Sequence, residues 1–87
     1  MIKFGMYKHF KGGEVFVFGT AKTPEGNTTV LYVGMQNGEI YSRPIESFLD
    51  DVKAVNGEGT VKRFRLVKES DVNILDFLAA QTENEKI

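Results

Sequence analysis

An 87-residue chain with no cysteine and a formal net charge of −1 has room for one domain and one core, held without disulfides, thiolate metal sites or a cysteine nucleophile. Residues 1–44 carry +2 and residues 45–87 carry −3, so neither half has the basic footprint of an obvious nucleic-acid binder and any basic surface is local. No apolar run reaches the roughly 20 residues of a spanning helix, and Met1 to Gly5 lacks a leader's apolar stretch; the expectation is a cytoplasmic protein with no membrane attachment.

In chain order, the opening segment Tyr7-Lys8-His9-Phe10-Lys11-Gly12 carries the only histidine. Gly12-Gly13 follows it and precedes another strand, which makes it a hairpin turn, since a phosphate-cradling glycine loop leads into a helix. Glu14 to Thr23 is rich in β-branched and aromatic residues on both faces, as in a central, strongly bent strand, with Gly19 placed for a bulge. Pro24-Glu25-Gly26-Asn27 has turn chemistry and joins this strand to Thr28 to Met35 in an antiparallel hairpin. Asn37-Gly38 predicts a two-residue primed turn into a third strand, Glu39 to Arg43.

Pro44 ends that strand by withholding a donor, and Ile45 to Leu49 reads as one or two helical turns whose Phe48 and Leu49 plug the core. Asn56-Gly57-Glu58-Gly59 is a loop. Thr60 to Val67 alternates as one half-buried strand, with Phe64 and Leu66 inward and Arg63 and Arg65 outward. Ser70 is placed to cap a helix from Asp71 to about Gln81, and the last residues are polar. Val72, Ile74, Leu75, Phe77, Leu78 and Ala79 cover more than half of that helix's circumference, wider than one docking surface requires.

Several short strands, hairpin signals and one helical plug predict a mostly β fold: a small SH3-like or OB-like barrel of about five antiparallel strands, with a short helical turn and a C-terminal helix. Residues 1–69 would form the barrel, and residues 70–87 a helix and tail packed on the same domain.

The chain resembles the family known as Domain of Unknown Function 1653 over roughly Gly5 to Val67. The resemblance rests on Tyr7, Lys8, His9, Phe10, Lys11 and Gly12, on Val30-Leu31-Tyr32, on Tyr41 two residues before Arg43-Pro44, on Phe48 four residues after that proline, and on Arg63-Phe64. Family members often carry Trp at the place of Tyr41 and Met at the place of Ser47. The resemblance implies a compact β-rich fold and names no activity.

If the first strand buries Met6 and Phe10, its period of two turns Tyr7, His9 and Lys11 outward. An inward Ile40 likewise sends Tyr41 and Arg43 outward. With Arg63 and Arg65, these residues would form an aromatic and basic face suited to stacking on a ring and contacting phosphate or carboxylate, as on single-stranded nucleic-acid platforms. The bland alternative is that the tyrosines cap the core and the cations are ordinary solvated strand residues. His9 is the one obvious acid or base, but no nucleophile motif, second histidine or carboxylate cluster stands near it in sequence.

The expected function is therefore a non-enzymatic binding module without metal or cofactor, taking nucleic acid or another anionic ligand. A structural or protein-interaction module, dimerising through Ile74, Phe77 and Leu78, is the alternative, and catalysis through His9 stands third.

Overall fold

The computed structural model describes residues 2–70. Strands β1 (Gly5–His9) and β2 (Glu14–Lys22) meet at the glycine hairpin, where His9 N–H donates to Gly13 O and Gly12 N–H to His9 O. Positive φ at both Gly12 and Gly13 lets the chain reverse there. Strand β2 pairs with β3 (Thr28–Gly34), and the ladder shifts register between Val17 and Gly19, the bulge that Gly19 predicted. Strand β3 pairs in turn with β4 (Ile40–Pro44).

The turn between β3 and β4 is wider than the predicted two-residue type. Gly38 has φ +70°, but among the described residues no non-glycine residue has positive φ, so Asn37 does not take the conformation a type I′ turn demands. Instead Gly38 N–H reaches back to Gly34 O, and the Asn37 side chain accepts from Glu39 N–H.

After Pro44 comes the single helical turn α1 (Ile45–Phe48), then β5 (Asp51–Lys53), β6 (Thr60–Lys62) and β7 (Phe64–Glu69). The predicted single strand from Thr60 to Val67 is in fact two. Arg63 interrupts it, its N–H donating to Asp50 O and its guanidinium gripping the Asp50 carboxylate at 2.8 Å. Strand β6 therefore folds back on β5 as a separate hairpin, and β7 crosses to pair with β1.

The main sheet has the order β4-β3-β2-β1-β7, all antiparallel, and it is open. This corrects the predicted barrel: β4 and β7 do not pair with each other, because the chain leaves β4 at a proline and turns into α1. Phe48 of α1 instead covers the inner face of the sheet with no solvent exposure. Its neighbour Leu49, expected in the plug, is 45% exposed. The predicted C-terminal helix lies outside the described residues, as do Ile74, Phe77 and Leu78.

The core comprises Ile2, Tyr7, Val15, Val17, Val30, Tyr32, Phe48 and Phe64. At its centre the Phe48 and Phe64 rings stack 4.2 Å apart and nearly parallel, with Tyr7 edge-on to Phe48 at 5.2 Å. Phe64 is inward as predicted, whereas Leu66 is more than a third exposed. Tyr7 reverses the expected orientation of β1. Its ring is buried, Met6 is half-buried on the opposite face, and the Tyr7 hydroxyl donates to Lys3 O at 2.6 Å, which satisfies the polar end of a buried tyrosine. That burial raises the Tyr7 pKa.

Candidate anion-binding cleft

The inner face of the sheet is not wholly covered by α1. Beside Phe64 it opens into a cleft of about 310 Å³ bounded by His9, Tyr32, Gly34, Asn37, Tyr41 and Arg43, among others. The β3–β4 register creates this arrangement, since Tyr41 stands opposite Tyr32 and Arg43 opposite Val30, so both project to the face that holds Tyr32 and Val30. Ile40, expected inward, is opposite Val33 and 68% exposed on the other side. The structure thus brings His9, Tyr41 and Arg43 to one cleft, on the face of their strands opposite to the expected one.

Tyr41 stacks on Tyr32 with centroids 5.5 Å apart and planes 26° from parallel. Its hydroxyl accepts from Asn37 Nδ2 at 2.8 Å and lies 3.4 Å from Glu39 Oε2, so the β3–β4 turn fixes the ring that walls the cleft. Gly34 forms the adjoining floor: a Cβ there would stand 2.7 Å from Asn37 Oδ1 and 3.3 Å from the Tyr41 ring. A side chain at 34 would push the wall aside.

Arg43 is half-buried. Its Nε donates to the Tyr32 hydroxyl at 3.3 Å, Nη1 donates to Ser47 Oγ at 3.0 Å, and the guanidinium lies 5.8 Å from the Phe64 ring centroid. These partners are all neutral. Among the described residues no carboxylate pairs with Arg43, in contrast to Arg63 with Asp50, Lys62 with Asp51, and Lys3 with Glu69. A partly desolvated guanidinium without a counterion leaves positive potential in the cleft.

His9 adds to that potential conditionally. Its Nδ1 accepts the Lys11 N–H at 3.1 Å, which places the neutral ring's proton on Nε2. The imidazole packs against Phe10 and edge-on to Phe64, at 4.7 and 4.9 Å. Burial, then Arg43, Arg63 and Lys11, lower its pKa. An anion entering beside Arg43 would offset the cationic part of that shift and favour imidazolium.

The remaining candidates scatter. Tyr7 belongs to the core, and the exposed Lys11 places its ammonium 5.6 Å from the Phe10 ring centroid. Arg63 is committed to Asp50. Arg65 is exposed and lines a second hollow of about 460 Å³ with Lys8, His9, Phe10, Gly12, Val61 and Lys62, so His9 and Gly12 border both depressions. Tyr32, Gly34, Asn37 and Ser47 are cleft or bracing residues that sequence reasoning did not select. Tyr32 and Ser47 had stood out only through the family pattern and Asn37 only as a turn residue, because cross-strand register is not visible in a linear pattern.

Residues 5–66 match the family model described as protein of unknown function (DUF1653). A solved structure from Bordetella bronchiseptica, described as a protein belonging to that family, superposes with a TM-score of 0.69 at 22% identity. The match covers 83% of this chain and 95% of that one, and it shows a shared fold. No curated protein matches the chain.

Proposed function

This chain belongs to the DUF1653 family, and we propose that it is a small binding module whose inner-face cleft takes an anionic ligand carrying a flat ring, such as a nucleotide or a nucleotide unit of single-stranded nucleic acid. The observation that carries this reading is Arg43, half-buried in the cleft and held by Tyr32 and Ser47 with no carboxylate partner among the described residues. Those hydrogen bonds pre-aim the guanidinium and leave Nη2 for the ligand's phosphate or carboxylate. Tyr41 supplies a ring on which a base can stack, already braced from behind by Tyr32. His9 serves as a binding group, with Nδ1 committed to the turn and Nε2–H as a donor.

The adverse feature is Glu39, whose carboxylate stands 3.4 Å from the Tyr41 hydroxyl and keeps that rim from being purely cationic. It favours a small anion seated at Arg43 over a broad polyanion track. Calorimetric titration with AMP, adenosine and inorganic phosphate separates the two recognition elements. AMP should bind more tightly than either part, and Arg43→Gln should weaken AMP about tenfold or more, the effect of losing a charge-assisted hydrogen bond. Equal affinity for adenosine and AMP, or an Arg43→Gln protein that binds AMP as wild type does, would contradict the assignment.

A further inference from the structure

The second hollow begins where the cleft ends. His9 and Gly12 stand on the rim of both, and the His9 and Phe10 rings, 4.7 Å apart, lead from the Phe64 side of the cleft into the hollow. Beyond them the β1–β7 register sets Lys8 directly opposite Arg65. Like charges facing each other across an antiparallel pair are destabilising. Neither side chain forms a hydrogen bond or ion pair among the described residues. Glu14 stands opposite Lys8 on β2 without pairing to it, and Lys62, the third cation of the hollow, is held by Asp51 at 3.3 Å. An anion seated between Lys8 and Arg65 would turn their repulsion into two charge-assisted contacts.

The place of the hollow in the sheet gives the ligand a direction. Lys8 and Arg65 lie at the β1–β7 end, whereas Glu39, the carboxylate beside the Tyr41 hydroxyl, adjoins β4 at the other end. An elongated anion held at Arg43 is therefore repelled on the β4 side and attracted on the β1–β7 side.

We propose that the hollow is a second phosphate subsite with Lys8 and Arg65 as its cations, so that the ligand is a single-stranded nucleic acid of at least two nucleotides. The inference rests on the reading of the Arg43 cleft as a nucleotide site. One nucleotide stacks on Tyr41 with its phosphate at Arg43, the strand passes over His9, and the neighbouring phosphate sits between Lys8 and Arg65. Aromatic surface alternating with cations along one path is how proteins hold single strands without reading their sequence.

Calorimetric titration of the full-length protein with AMP and with the dinucleotide pApA, which carries one more phosphate, tests this. The dinucleotide should bind about tenfold or more tightly than AMP. Its log affinity should also fall more steeply against log salt, by about 0.7, the share of one further phosphate. Lys8→Gln combined with Arg65→Gln should remove that advantage and leave AMP affinity as in wild type. Lys22→Gln combined with Lys53→Gln, which removes two exposed charges outside both depressions, should preserve it. If AMP binds but pApA binds no more tightly, or if the advantage survives Lys8→Gln with Arg65→Gln, the second subsite is overturned while the Arg43 cleft stands. An advantage lost equally with Lys22→Gln and Lys53→Gln would reveal general charge attraction and overturn it as well. Failure of AMP itself to bind would remove the cleft reading, and this inference with it.

Discussion

Two side chains show how the inner face holds and responds to charge. His9 titrates below its ordinary value of about 6.5 because burial and the Arg43, Arg63 and Lys11 cations disfavour imidazolium. The unfolded chain therefore binds a proton at His9 more readily than the native one. The His9 contribution to stability is complete above about pH 6.5, falls as the pH drops toward the native pKa, and levels off below it, where both states are protonated. A proton NMR titration should give His9 an apparent pKa below that of an unfolded-chain reference, and saturating AMP should raise it. A pKa at or above the reference in the free protein would show that the cations do not act on the ring. Asp50 works in the usual acidic direction: the hydrogen-bonded Arg63 guanidinium holds its carboxyl low, so stability is present above about pH 3.9 and is lost as the pH falls through the native value. In an acid melt, Asp50→Asn should flatten that lower limb while leaving the His9 region of the profile in place.

At the scale of elements, α1 is the piece on which the inner core depends. Phe48 is fully buried and stacks on Phe64, which is itself 5% exposed, so either change to Ala should cost about 3–5 kcal/mol, measurable by urea unfolding. A Phe48→Ala protein with an unchanged midpoint would mean that the helical turn does not seal the sheet. Strand β1 is equally constrained at Gly5. Its φ is +140°, and a Cβ there would collide with the Lys68 carbonyl oxygen and stand 2.8 Å from Ser70 N, so Gly5→Ala should destabilise by about 1–3 kcal/mol and loosen β7 first. Hydrogen exchange at β7 amides checks this.

These same elements show what the sequence could and could not disclose. Turn residues and the Gly19 bulge acted locally, so the hairpins and Phe64's orientation were legible from composition and alternation. Tyr7 was not, because its burial depends on a hydroxyl partner at Lys3 and on a register shift against β7 between Met6 and Tyr7. Nor was the break at Arg63, since Thr60 to Val67 alternates without interruption and only the bond to Asp50 divides it. The cleft residues His9, Tyr41 and Arg43 were named by residue type; the face of His9 was misplaced together with that of Tyr7 on β1, and that of Tyr41 and Arg43 for want of the β3–β4 register.

For the whole molecule, the decisive feature is that the sheet stays open. An open sheet with a helical plug leaves part of its inner face accessible, and that is where a half-buried arginine and a braced tyrosine meet. A closed barrel would have filled that space with side chains. The family match and the shared fold of the Bordetella bronchiseptica protein support the architecture, while the ligand is argued from the cleft alone. If an oligothymidylate also binds, with phosphates at Arg43, Lys11 and Arg65, its log affinity should fall against log salt with a slope of about −2. A slope near zero would confine recognition to the ring and exclude a track along the hollow that Arg65 lines.

The central claim is that the cleft around Arg43 is the binding site, and a backbone amide-shift titration of the full-length protein with AMP tests it most directly. The account predicts saturable shifts concentrated at His9, at Gly34 through the β3–β4 turn, and at Tyr41 to Arg43, with the Met6, Phe16 and Val33 amides moving least. Shifts absent throughout, or centred away from Arg43, would contradict it.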